Sequence, residues 1–527
     1  MATANELNIN TDATADEMAA ELFGDGIQVL TSSYSGDTAA SGIYSGADTT
    51  TPGVAPADSG VILSTGRAVD FTNSDGTTNT NQVGGRTTDN VNGIDGDVDF
   101  NSLTPGNTQD AAFLEMTFIP EGDFITLDFV LSSEEYPEFS NSQYNDVVGV
   151  WVNGQLAEVT IGDGSASIGN INQGSENIYV DNTQDQFNTE MDGFTITLTF
   201  VAPVERDKIN TIKIGVADTS DAAYDTNLLI AGGSVQSAFV AQDDEIEMPA
   251  GAARNLDVLS NDGDGSGVLT ITHINEVRVY PGDTVELASG QFVTLNDDGT
   301  LNIEGNGDVE TAYFNYTVTD DDGHSDTALV EFNAITPPCF TRGTLIRTLG
   351  GECAVEDLRP GMAVMTLDHG PRKLLWVGRR KMACDPRTTP IRFAKGVLGN
   401  HKDLLVSPQH RMLITGQFAE LLFGEDEVLV RAKDLVNDLT IRPATDQTEV
   451  EYFHLLFGDH EILWSDGALT ESYQPGPETA TGFDADTQDE LLHMFPELDL
   501  TTGSGYGPAA RLSLKAYEGR VLASHLA

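Results

Sequence analysis

The chain of 527 residues carries 83 Asp and Glu against 26 Lys and Arg, a formal charge of −57. A field of that sign repels phosphate backbones and excludes a nucleic-acid partner. The length exceeds the roughly 250–300 residues that one core fills, so two to four domains are expected. No run nears the roughly 18 apolar residues of a membrane span.

The charge is unevenly spread. Only 7 of the Lys and Arg, but 56 of the Asp and Glu, precede Cys339. Charge that dense works against the folded state by self-repulsion, which bound divalent cations relieve. All three cysteines (Cys339, Cys353 and Cys384) lie in the second part, so no disulfide holds the first together. The start, MATANELNINTDATADEM, lacks the basic stretch and apolar core of a cleavable signal. Export is therefore expected by a route that does not read one.

Residues 15 to 24 have the apolar spacing of a short helix. From there to about 238 the chain reads as β, with alternating runs such as FITLDFVL and FTITLTFV broken by Gly, Asn and Asp. Glu134, Glu135, Glu138, Asn145 and Asp146 cluster beside Tyr136 and Tyr144. They read either as hard oxygen ligands for calcium or as a solvated acidic loop. GVILSTG, DAAFLEMTFIP, LSSEEYPEF and YNDVVGVWVNG occur in an order that resembles the choice-of-anchor L domains of bacterial surface proteins. That resemblance implies an extracellular or cell-surface location.

Residues 240 to 335 read as a further β-sandwich. FNYTVTDDDG alternates and then turns, which predicts an antiparallel hairpin. With AQDDEIEMPAGAARNLDVLSNDGDGSG and LNDDGTLNIEG, this stretch resembles the cadherin-like or immunoglobulin-like repeats of bacterial adhesins. Asp262, Asp264 and Ser266 open like an EF-hand loop, but His273 stands where that loop needs a bidentate Glu, so an EF-hand is rejected. An inter-domain calcium site on Asp257, Asp262, Asp264 and Asp322 stays open beside a plain Asp/Gly turn. NAITPP, 333 to 338, reads as a short linker.

Cys339 opens FTRGTLIRTLGGECAVEDLRPGMAVMTLD, a strand–turn–strand run. Ser407-Pro408-Gln409-His410 follows, and then YFHLLFGDHEILWSDGALTES. In this order the blocks resemble the Hint fold shared by hedgehog proteins and inteins, over about 339 to 475. The resemblance implies that Cys339 is the nucleophile and that Ser407 and His410 stand for that family's T-x-x-H. His454 takes the place of its usual Asp, and Glu471-Ser472 that of its terminal His-Asn pair. Splicing needs that Asn, so only cleavage is expected.

The residue types suit an attack on the Pro338–Cys339 bond. An amide resists attack through its resonance, and a fold that twists it by ~12° raises it by about 1 kcal/mol. His410 is expected to protonate the leaving Cys339 nitrogen and Ser407 to hold the amide. His454, or His460 beyond it, is expected to take the thiol proton. The product is a thioester open to water, a thiol or an amine. Cys353 and Cys384 read as inert and GRRK (378 to 381) as solvated.

After Tyr473, helices are expected at about 487 to 495, behind Asp486, and over PAARLSLKAYEGRVLASHL. The whole is expected to be mainly β. An anchor-like domain spans 1–238, a sandwich 240–335, an all-β self-processing domain 339–475 and a helical tail 476–527. The function expected is a single self-cleavage that releases the first part or couples it to an unknown surface partner. The rivals are a calcium-binding adhesin with an inert Hint module and a cysteine hydrolase acting in trans.

Overall fold

The computed structural model describes residues 5–72, 91–137, 139–140, 144–157, 167, 171–172, 175–220, 222, 224–237, 239–263, 268–306, 308–321, 323–335, 338–385, 387–437, 439–474 and 506–523. It is mainly β, as the alternating runs require. Its strands gather into two compact units. One comprises 1–246, 256–302 and 312–332; the other comprises 247–255, 303–311 and 333–527.

The first unit opens with the helix Ala15–Leu22. Thr14 caps it and Glu17 reaches back to the Thr14 N–H, so two orphan amides are satisfied while Met18, Ala19 and Leu22 turn inward. Two sheets follow, with eight and five strands among the described residues. Leu114, Ile212 and Ile214 from one sheet meet Leu127, Phe129 and Leu228 from the other in one core, as alternation in a sandwich dictates. The strand Asn210–Thr219 pairs in register with Thr108–Pro120 until a bulge between Val216 and Asp218. The bulge re-aims the side chains beyond it. Residues 244 to 335 add sheets of five and four strands. Their strands Thr311–Thr319 and Ser325–Ile335 flank the DDDG turn where the hairpin is expected.

The second unit holds sheets of six and nine strands among the described residues. Its core gathers Phe340, Val406, Met412, Val430, Phe453, Leu455 and Leu463. The alternation that buries Phe453 and Leu455 on one face turns Tyr452 and His454 to the other.

Two expectations need correction. The strand Ser325–Ile335 runs into the supposed linker, because its alternation continues through Ala334, which is buried. The tail is not wholly helical: Leu512–Ser513 pairs in parallel with the strand Glu427–Arg431, and the helix spans only Ala516–Ala523. The helix expected at 487 to 495 lies outside the described residues.

Candidate functional site

Three strands bring the site together. Phe340–Thr341 lies between Leu404–Val406 and Glu449–Leu456, with Phe340 opposite both Val406 and Phe453. One residue upstream, that register sets Cys339 beside Ser407 on one side and His454 on the other. The Cys339 N–H donates to Ser407 Oγ at 2.9 Å, and the Ser407 N–H donates to the Cys339 carbonyl at 3.0 Å. Ser407 therefore grips both backbone groups of Cys339.

His454 faces the bond before Cys339. Its Nδ1 is 3.1 Å from the Pro338 carbonyl oxygen, and its Nδ1 and Nε2 are 3.7 and 3.6 Å from Cys339 Sγ. A carbonyl only accepts, so the network assigns the proton to Nδ1 and the lone pair to Nε2. One imidazole thus offers a donor to the scissile carbonyl and an acceptor to the thiol. Burial pushes the Cys339 thiol well above its usual range, while the Ser407 bond pulls it back. Burial also lowers His454 to about 4, against the opposing effect of its bond to Pro338. Both partners rest neutral at pH 7, so a proton moves only as attack begins.

His410 sits nearby but is held differently. Its N–H closes a turn onto the Ser407 carbonyl, its ring packs edge-on to Phe340 at 4.5 Å, and neither ring nitrogen has a hydrogen-bond partner. Burial lowers it to about 4, with Glu471 pulling upward. The group on the leaving nitrogen at rest is Ser407.

Glu471 is fully buried. It accepts from the Arg411 N–H at 2.7 Å and from Arg411 Nη1 at 3.1 Å, with His460 Nε2 at 3.3 Å. Burial favours its neutral form, but Arg411 and His460 outweigh that and hold it at about 2. The Ala510 N–H donates to His460 Nδ1 at 3.0 Å. His460, a candidate base from its place in the sequence, is thus engaged by Glu471 and Ala510. It also lies beyond the strand Glu449–Leu456 rather than on it. Ser472 Oγ accepts from the Glu461 N–H.

Cys353 and Cys384 are free and partly exposed. Cys384 joins Val450, Tyr452 and Met382 in packing around Cys339. Arg379, Arg380 and Lys381 lie within the strand Trp376–Ala383.

The acidic cluster of the first unit is not a solvated loop: Glu134, Glu135 and Asp146 are each at most 5% exposed. Asp146 accepts from the Thr219 N–H and the Thr226 hydroxyl, and Asp262 accepts from the Gln242 N–H and the Tyr316 hydroxyl. Asp257 precedes a short 3-10 turn. Glu138, Asp264 and Asp322 lie outside the described residues. Among the described residues no group of three or more His, Cys, Asp or Glu is arranged to hold a metal ion. Asp146 and Asp262 thus spend oxygens on hydrogen-bond donors of the protein itself. Also among the described residues, no helix is long and apolar enough to cross a membrane.

Residues 338–477 match the family model of the Hint domain, residues 6–236 that of the choice-of-anchor L domain, and residues 236–333 that of the bacterial Ig domain. No curated protein matches the chain. Among solved structures, the gp41-1 intein is similar at 12% identity, over 26% of this chain and 98% of its own, with a TM-score of 0.18. The M60 catalytic domain with CBM51 domains of ZmpB from Clostridium perfringens is similar at 11% identity, over 70% and 34%, with a TM-score of 0.13. The N-terminal eight Ig domains of Down Syndrome Cell Adhesion Molecule are similar at 10% identity, over 57% and 35%, with a TM-score of 0.15. The chain thus carries a choice-of-anchor L domain, a bacterial Ig domain and a Hint domain, in that order.

Proposed function

We propose that the Hint domain cleaves the Pro338–Cys339 bond and so releases the anchor-like and Ig domains from residues 339–527, or couples them to an acceptor. The observation that carries this reading is His454, which spans the Pro338 carbonyl and the Cys339 sulfur. The Cys339 S–H proton passes to His454 Nε2 as Sγ bonds to the Pro338 carbonyl carbon. The Nδ1–H stabilises the oxyanion, as preorganised donors do. Collapse breaks the C–N bond, and the nitrogen leaves Ser407 carrying a proton. His454 Nε2 supplies that proton, since Sγ and the nitrogen belong to one residue; His410 is the second candidate donor. The thioester between Pro338 and Sγ is then resolved by water, a thiol or an amine, and the thiol is regenerated.

The cleavage is a single turnover. Pro338 is a rigid acyl residue, which sets a slow spontaneous rate. The anchor-like and Ig domains support a surface or extracellular setting, with a partner at that surface. The purified chain should give fragments of about 338 and 189 residues, counted from the sequence. Dithiothreitol or hydroxylamine should accelerate the cut, and Cys339→Ala should abolish it. An intact wild-type chain under all these conditions would leave an adhesin with an inert Hint module. Cleavage of an added peptide without self-cleavage would instead point to a hydrolase.

A further inference from the structure

His454 stands in an aromatic slot that the proposed chemistry does not by itself explain. The strand Trp376–Ala383 pairs with Glu449–Leu456 so that Gly378 lies directly opposite His454. Trp376, two residues before Gly378 and on the same face, folds its ring over that glycine. A Cβ on Gly378 would stand 2.0 Å from Trp376 Cη2. The indole then stacks on His454, with centroids 6.3 Å apart and planes 23° apart. Tyr473 meets the imidazole edge-on at 5.3 Å and the indole at 6.4 Å, so the three rings close into a triangle and brace one another. Tyr473 is itself fixed by its N–H, which donates to the Leu455 carbonyl at 2.9 Å. Trp376 and Tyr473 are 8% and 1% exposed, so the slot is closed to water.

We propose that Trp376, seated on Gly378, and Tyr473 are positioning residues that hold His454 between the Pro338 carbonyl and the Cys339 sulfur. The proposal rests on the self-cleavage reading for its purpose, but not for its test. An imidazole free to turn about χ1 and χ2 would lose one of its two contacts, because Nδ1 and Nε2 must serve different atoms. The slot removes that freedom and keeps the ring dry. The charged and titratable groups facing His454 include the Cys339 thiol, Arg380 on the neighbouring strand, His410 and the Tyr473 phenol. Changing Trp376 or Gly378 substitutes none of these groups, so any change in the titration of His454 reports the slot.

The test uses the full chain in two arms. In isotope-labelled Cys339→Ala protein, which stays intact, NMR follows the His454 ring against pH. Trp376→Ala and Gly378→Ala should each raise its titration midpoint by a pH unit or more and erase the single Nδ1–H tautomer. Trp376→Phe should keep both. With Cys339 present, the first two variants should slow cleavage at least tenfold and the third less than threefold. An unmoved midpoint and tautomer in both alanine variants would overturn the proposal, whatever the chain's cleavage rate. If the wild-type chain does not cleave, the NMR arm still decides the slot while the cleavage reading alone falls. Should Gly378→Ala fail to fold, Trp376→Leu against Trp376→Phe decides the same question.

Discussion

Glu471 in the Hint domain and Asp218 in the anchor-like domain are both buried carboxylates, at 0% and 2% exposure. Glu471 meets Arg411 at two points and His460 at a third, and stays charged. Asp218, just past the bulge, has Asp146, Asp225 and Asp110 as its charged neighbours, and one of its oxygens has no partner. Burial, and then Asp146, push it well above the usual carboxylate range and favour its neutral form. The same chemical group thus takes opposite states according to the sign of what surrounds it. In the Hint domain the charge is paired; around Asp218 burial and like charge favour the protonated form instead.

The largest effect should come from unpairing Glu471. Glu471→Ala leaves the Arg411 guanidinium partly buried without its carboxylate, which costs about 3–5 kcal/mol. Urea denaturation of the Hint unit should show the loss. A change under about 1 kcal/mol would mean that the ion pair is not what holds Glu471 charged.

The two units should also respond oppositely to acid. In the first unit Asp128 and Asp244 are raised to about 7 and Asp262 to about 6, chiefly by burial, and burial raises Asp326 as well. A carboxyl raised above its unfolded value stabilises fully below the unfolded value and loses that contribution as pH climbs through the folded one. The first unit should therefore weaken between about pH 4 and 7, by about 1.4 kcal/mol per pH unit for each proton difference. In the second unit His410 and His454 are lowered to about 4 and Glu471 to about 2. Their contribution is present above the unfolded values and lost as pH falls, from about 6.5 for the histidines and about 4.5 for Glu471. Calorimetry from pH 4 to 8 should show two transitions moving in opposite directions. Parallel movement would erase the contrast between the units.

How far the sequence foretells these sites follows from how local each signal is. Cys339, Ser407 and His454 stand in short blocks with fixed spacing, and the strand register then brings the blocks together. The aromatic slot is not legible in the sequence, because Trp376, His454 and Tyr473 meet only through strand pairing and an isolated bridge from Leu456 to Tyr473. The available signal is W-x-G on a strand: two residues share a face there, and a glycine invites a ring to lie over it. In the sequence Glu471 shows only as a missing splicing residue, since nothing near it announces Arg411, 60 positions earlier. Spacing puts His410 on the leaving nitrogen. The structure turns His410 onto the Ser407 carbonyl and packs its ring against Phe340, a conformation that spacing alone does not specify. The burial of the acidic cluster is hidden for a related reason: a run of charge can be read as a solvated loop, while the fold buries Glu134, Glu135 and Asp146.

Calcium gives a smaller test of the same contrast. A divalent cation taken up by the buried carboxylates of the first unit would pair their charge as Arg411 pairs that of Glu471, provided they move to close around it. We propose that calcium raises the melting temperature of the first unit by about 2–4 °C at pH 8, an effect of about 1 kcal/mol. It should do nothing at pH 5 and leave the Hint transition alone. Identical melting with calcium and with chelator at both pH values would retire the cation from this protein.

The smallest expected effect is the sharpest. Asp218→Asn replaces a protonated carboxyl with a neutral amide of nearly the same shape, so it should change stability at pH 7 by less than about 1 kcal/mol. At a pH high enough to ionise Asp218 it should stabilise, because the variant cannot acquire the charge that its acidic neighbours oppose. Glu471→Gln, the matching change in the Hint domain, removes a charge that Arg411 needs and should cost several times more at pH 7. The pair of variants isolates one variable, the sign of the neighbours around a buried carboxylate. Equal losses in the two would mean that Asp218 is ionised in the native protein, held by a cation or by a base. The acidic part would then be paired much as the Hint domain is.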